Sequence, residues 1–192
     1  MRISPYQSTI LPFLVLVLML CTSCSQTPNG KVYLNESPQF DLFTFFNGKT
    51  KAWGIVQNFS GDVVQRFTVS IDGTLHNDNH IELNEWFTYQ QGGGLASRTW
   101  QIHRLEDGKI QGSTGDIAGM ANGTIFGNAF QFVYEMDLPV DDTTYRVKFD
   151  DWMWILDERT LINRSYIKKW GVTVAEVTLF MQKPATQQSL NH

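Results

Sequence analysis

Gly115-Asp-Ile-Ala-Gly-Met-Ala-Asn-Gly-Thr-Ile-Phe-Gly-Asn-Ala-Phe-Gln-Phe-Val-Tyr134 carries glycines at 115, 119, 123 and 127 and then an aromatic run. Phe126, Phe130, Phe132 and Tyr134 stand an even number of residues apart, the spacing of a strand with one large apolar face. Glycines set among such residues supply a bend, a bulge or a close approach of the backbone to another group. A bulged corner of a closing barrel accounts for them as well as a ligand contact does. Asp116 and Asn128 are the polar members that a cavity would have to justify. They either point inward, toward Arg98 and Asp151, or bond the backbone of the corner.

On both sides the chain reads as more strand. Apolar alternation runs over 52–58, 63–71, 81–89, 97–105, 109–114, 124–138, 145–157, 161–169 and 172–182. Ser60-Gly61, Asp72-Gly73, Gly92-Gly-Gly94, Asp107-Gly108, Asp141-Asp142 and Asp157-Glu158 punctuate the runs, and such pairs supply the positive φ that tight turns need. No amphipathic helix longer than a turn or two competes. About nine antiparallel strands without long crossovers predict an all-β, up-and-down meander, and closure into a single barrel removes its two exposed edges. Phe40-Asp-Leu-Phe-Thr-Phe-Phe46 precedes the first strand and suits a single helical turn or a plug.

Parity assigns faces. Around Gly92-Gly-Gly94, Glu85, Phe87 and Tyr89 share a face with Arg98 and Trp100, which makes Glu85 and Arg98 diagonal neighbours on an aromatic surface. A dry, unpaired charge there would be costly, so the two are either a mutually satisfied pair or part of a wet cavity. In Tyr145-Arg-Val-Lys-Phe-Asp-Asp-Trp-Met-Trp154, Asp151 falls on the face of Val147 and Phe149, while Asp150 falls with Trp152 and Trp154. Aspartate is a poor strand former and needs a donor when half-buried. A bulge or strand end with carboxylates on backbone amides or Arg164 is the bland alternative.

The ends bear on compartment. Arg2, the apolar run Ile10–Leu20 and Cys21-Thr-Ser-Cys24 have the order of a secretory signal peptide. The run is about half of the roughly 20 residues a spanning helix needs. Both cysteines fall here, so a disulfide framework in the remaining domain is excluded. Leu20-Cys-Thr-Ser-Cys24 resembles a bacterial lipobox, which implies lipidation of Cys24; an ordinary signal peptide cut nearby is the alternative. Several acyl chains anchor stably, at about 0.8 kcal/mol per buried methylene. Ser25, rather than aspartate, after the cysteine points to the outer membrane, periplasmic face. The expected organisation is a signal peptide over 1–23, a polar tether over 24–38, one barrel domain over 39–184 and a disordered tail over 185–192.

The formal charge of −4 and the lack of a basic block argue against nucleic-acid binding. His76-Asn-Asp-Asn-His80 reads as a polar turn rather than a metal site, and no cofactor or metal is expected. His103 has no evident partner. Glu85, Asp116, Asp150 and Asp151 could supply an acid and a base only if closure brought two of them together, and no catalytic residue is assigned.

Phe46-x-Gly48 with Trp53-Gly54, Asn84-Glu85-x-Phe87-x-Tyr89, Arg98-x-Trp100, Gly112-x-x-Gly115-Asp-x-Ala118-x-x-Ala121-x-Gly123, Gly127-Asn-Ala129, Asp150-Asp-Trp-Met153, Asn163-Arg164 and Lys169-x-Gly171 together resemble DUF3833, a family of bacterial exported proteins, many of them lipoproteins. The resemblance covers nearly the whole domain and implies a lipocalin-like, calycin-like barrel with an interior cavity. It brings no established activity. Genes of the family often neighbour fatty-acid-modifying genes, which implies a fatty-acid-like or other hydrophobic ligand. The expected site is Glu85, Phe87, Tyr89, Arg98, Trp100, Asp116, Asn128 and Asp151. The rival expectation is a structural or interaction lipoprotein whose barrel is filled with side chains; a carboxylate-based enzyme acting on a lipid is the third.

Overall fold

The computed structural model describes residues 27–140 and 142–185. Alternating apolar runs become strands because each buries one face and leaves the other in water. They are β1 (Gly48–Asn58), β2 (Val63–Asn77), β3 (His80–Tyr89), β4 (Ser97–Arg104), β5 (Ile110–Ser113), β6 (Ile117–Phe126), β7 (Ala129–Val140), β8 (Thr143–Asp157), β9 (Thr160–Lys169) and β10 (Val172–Gln182). Each pairs antiparallel with the next, and β1 pairs with β10 to close the barrel. The antiparallel barrel is therefore as expected, with ten strands rather than about nine.

The extra strand comes from the glycine stretch. What read as one run over 124–138 is the hairpin of β6 and β7, which turns at Gly127-Asn128. Phe126 pairs with Ala129 and Ile125 with Phe130, so parity switches at the turn. Phe130 points into the barrel, whereas Phe126 lies outside, stacked on Trp152 at 5.8 Å. Gly119, at φ 80°, sits in a break of register between Ala118 and Asn122, a bulge that bends β6. Gly123 instead permits close packing, since a Cβ there would stand 2.6 Å from the Phe130 ring, which lies flat against the backbone.

The core is the barrel interior. Val69, Ile71, Ile81, Leu83, Trp100, Ile102, Phe130, Phe132 and Phe149 are all buried there. Fully burying a side chain of this size contributes roughly 1.5–3 kcal/mol. One end is closed by α1 (Leu42–Phe46), whose leucine and phenylalanines are buried. So short a helix has little stability of its own, and packing holds it. Asp41 caps it, accepting from the Phe43 amide at 3.2 Å and the Thr44 hydroxyl at 2.7 Å. Arg104 then ties the cap to β4, 2.9 Å from the Asp41 carboxylate and over the Phe43 ring. The segment read as a single helical turn or a plug is a short helix set in the barrel end.

Part of the stretch expected to be a polar tether lies against the barrel. Gly30–Tyr33 forms a 3-10 turn capped by Asn29, and Gly30 is buried. Tyr33 lies against Trp152 and Trp154 at 6.2 and 6.1 Å between ring centres. This cover explains the tryptophans on the outer face of β8: Trp152 is only 2% exposed because the N-terminal segment lies over it. Asp150 and Asp151 are correspondingly neither at a bulge nor at a strand end. Asp150, 5% exposed on the outer face, receives Lys168 Nζ and Gln131 Nε2, both at 2.7 Å, while Arg164 pairs with Glu176. The signal peptide and Cys24 lie outside the described residues, as does 186–192 of the expected tail.

Candidate functional site

Because the strands run up and down, the ends of the barrel differ by which connections they carry. Loops β1–β2 and β3–β4 lie at one end, and α1 with the β2–β3 and β6–β7 turns lies at the other. Between them is a cavity of about 340 Å³, floored by Leu42 and Phe46 of α1 and reaching Gly94 and Leu95 of the β3–β4 loop. Ligand pockets span about 300–1,000 Å³, so this one suits a single small molecule. The barrel is not filled with side chains. Its walls are mostly apolar, with Phe67, Phe87, Tyr89, Trp100, Phe132 and Phe149 contributing rings.

The polar groups of the lining are gathered rather than scattered. Glu85 and Arg98 are direct register partners on β3 and β4, not diagonal neighbours, and Arg98 Nε stands 2.6 Å from Glu85 Oε2. Both side chains are largely buried, at 20% and 12% exposure for Arg98 and Glu85. Asp116, just before β6, adds a second carboxylate 3.7 Å from Arg98 and takes a bond from the Thr114 hydroxyl. The guanidinium also lies over Phe87 and Trp100, 5.4 and 5.2 Å from the ring centres. Burial alone would lower the Arg98 pKa; the Glu85 carboxylate reverses this and raises it. Arg98 is thus a cation already satisfied by its own neighbours.

Asp151, from the middle of β8, stands in the same cavity. Tyr134 on β7 donates its hydroxyl to Asp151 Oδ2 at 3.1 Å. The other oxygen, Oδ1, is buried without a hydrogen-bond partner among the described residues. Burial pushes the Asp151 pKa up to about 6, against the opposing pull of the Ser165 hydroxyl, the Arg98 charge and the Tyr134 bond. Burial, followed by the Asp151 charge, also holds the Tyr134 phenol well above its ordinary value, so it stays a neutral donor. A carboxyl poised near neutral pH in a cleft is a hallmark of functional sites. Such a group can accept a proton or hold a cation.

Of the residues expected from the sequence, Glu85, Phe87, Tyr89, Arg98, Trp100, Asp116 and Asp151 all line the cavity. Asn128 does not: it sits in the β6–β7 turn at the closed end, where its carbonyl accepts from the Ile155 amide. Sequence reasoning missed Tyr134, Asn163 and Ser165. Tyr134 was visible only as the last aromatic of a run, though its hydroxyl is the one polar group on that face. Asn163 and Ser165 share the parity of Leu161 and Ile167 on β9, so parity could have found them. Asn163 donates to the Trp152 carbonyl at 3.1 Å and Ser165 is the register partner of Asp151.

Outside the cavity, His76 and His80 do meet across the turn that joins β2 and β3, stacked at 4.6 Å, and His103 stacks on His80 at 4.2 Å. His103 thus has a partner after all. Parallel rings do not converge on a point, and among the described residues no group of three or more His, Cys, Asp or Glu is placed to hold a metal.

The fold has a counterpart among solved structures. The S-type phycobiliprotein lyase CPES from Guillardia theta superposes with a TM-score of 0.52 at 12% identity, over 83% of this chain and 100% of that one. At that identity the likeness is one of fold. No curated protein matches the chain in sequence. The model of the family described as "Protein of unknown function (DUF3833)" matches residues 17–183, and the chain belongs to that family.

Proposed function

We propose that this protein is a lipid-anchored component of the bacterial cell envelope that binds one small hydrophobic molecule inside its barrel, without catalysis. The observation carrying the binding reading is the apolar cavity of about 340 Å³ with its polar groups gathered around Arg98 and Asp151. A structural lipoprotein with a filled core would have no such space. The barrel shared with a phycobiliprotein lyase is in keeping with it. Attachment rests on the lipobox-like Leu20-Cys-Thr-Ser-Cys24, with Cys24 acylated, and Ser25 favours the outer membrane facing the periplasm.

A fatty acid fits the apolar walls but not the charges. Among the described residues Arg98 is the only base in the lining, and Glu85 already occupies it. Uptake of a neutral apolar fluorophore by the purified full-length chain tests the reading, with Val177→Phe as a variant that fills part of the cavity. Saturable uptake that Val177→Phe diminishes supports it; no uptake, or uptake indifferent to the filling, overturns it. For the anchor, cells fed labelled palmitate should mark the wild type and not Cys24→Ser.

A further inference from the structure

The polar lining of the cavity is unbalanced. It holds three carboxylates, Glu85, Asp116 and Asp151, against the single guanidinium of Arg98. Glu85 and Asp116 both face Arg98, at 2.6 and 3.7 Å. Among the described residues Asp151 pairs with no basic side chain; its neighbours are neutral hydroxyls, that of Tyr134 on Oδ2 and that of Ser165 on the adjoining strand. It is 8% exposed, and its Oδ1 has no hydrogen-bond partner among those residues. A buried carboxylate left this way is costly, and such groups are normally paired. Neutral hydroxyls such as that of Ser165 ease the carboxylate without balancing its charge, and a positively charged donor on Oδ1 would do both.

The walls favour the same chemistry. Aromatic faces carry negative electrostatic potential and attract cations lying over them. Tyr134 and Phe149 stack beside Asp151 with ring centres 5.0 Å apart, and Trp100 meets Tyr134 edge-on at 5.4 Å. Arg98 already uses the faces of Phe87 and Trp100 in this way, which shows that the lining accommodates a cation on its rings.

Resting on the reading that the cavity binds a small hydrophobic molecule, we propose that its ligand is a hydrophobic amine, with the ammonium group on Asp151 and the apolar body along the aromatic walls. A carboxylate in the same place would meet Asp151, Asp116 and Glu85 with no free base to receive it. A neutral alcohol would satisfy Oδ1 but leave the charge excess unchanged. The preference is thus for amine over alcohol over carboxylate.

Competition against a neutral fluorophore in the full-length chain tests this with decylamine, decanol and decanoate, which share a tail and differ in the head. Decylamine should bind about ten- to a hundredfold more tightly than decanoate, the range carried by a charge-assisted bond. Asp151→Asn, which keeps the shape and an oxygen for Tyr134, should remove most of that preference. A second measurement needs no variant. Lowering the pH through about 6 should weaken decylamine as Asp151 takes up its proton, with Arg98, Glu85, Asp116, Tyr89 and Tyr134 the other charged or titratable groups of the lining and Asp150 the charged neighbour on β8. Decanoate binding as well as decylamine, or a preference that survives both Asp151→Asn and acid, overturns the proposal and leaves the cavity reading standing. Failure of the fluorophore and all three compounds to bind overturns the cavity reading, and this proposal with it.

Discussion

Gly73 on β2 and Phe46 at the end of α1 meet backbone to backbone: a Cβ on Gly73 would stand 1.8 Å from the Phe46 carbonyl oxygen. No rotamer change relieves that contact, so any side chain at 73 pushes α1 off the barrel end. Gly73→Ala should lower stability by about 1–3 kcal/mol, the usual cost of overpacking. Urea denaturation measures it. An unchanged midpoint would mean that α1 does not seal the cavity floor.

Asp151 should make the protein less stable at neutral pH than an uncharged residue would. Its carboxyl titrates near 6 rather than at the ordinary 3.8, so the folded state holds the proton more tightly than the unfolded state does. The contribution of this one group is then most favourable below pH 3.8, worsens between 3.8 and about 6, and levels off above, at a cost of about 3 kcal/mol. Asp151→Asn should raise the melting temperature at pH 8 and lose that advantage near pH 4. Equal gains at both values would show that the effect is not the titration of Asp151.

The Glu85–Arg98 pair lends itself to a double-mutant cycle. Removing Arg98 alone leaves Glu85 and Asp116 without their cation in a largely apolar cavity, and Arg98→Met should cost about 3–5 kcal/mol. With Glu85→Gln present, the same change should cost distinctly less, because the stranded charge is smaller. Additive losses would indicate that solvent reaches the pair and screens it.

His103 on the outer face should titrate below its ordinary 6.5, because partial burial and then the neighbouring His80 both disfavour its charged form. A lowered histidine pKa contributes stability above pH 6.5 that is lost as the pH falls through that region. Proton NMR of the ring follows it directly. His80→Phe, which keeps an aromatic stack but removes the second charge, should move the midpoint upward.

Strand existence was legible in period-two alternation, and the cavity face could be assigned from it. Glu85, Phe87, Tyr89, Arg98, Trp100 and Asp151 share the interior because parity is a local property that closure does not alter. The β6–β7 hairpin was hidden for the same reason. A two-residue turn switches parity, yet Phe126 and Phe130 stand four apart and mimic one continuous strand. Asn128 was misplaced with it. The docking of Tyr33 over Trp152 could not be read either, since it joins residues more than a hundred positions apart and depends on the chain's path outside the barrel. The aspartates were legible as an anomaly. Whether they lay in a wall or at an end depended on Lys168, from another strand, reaching Asp150.

The buried position of Gly30, against Phe126 near the β6–β7 turn, also has a directional meaning. Six residues of extended chain reach about 20 Å, so under the proposed acylation Cys24 holds the plugged end of the barrel close to the bilayer. The β3–β4 loop, with Gly94 and Leu95, is then on the far side. A ligand entering past that loop would, under the same proposal, come from the aqueous side rather than from the anchoring membrane.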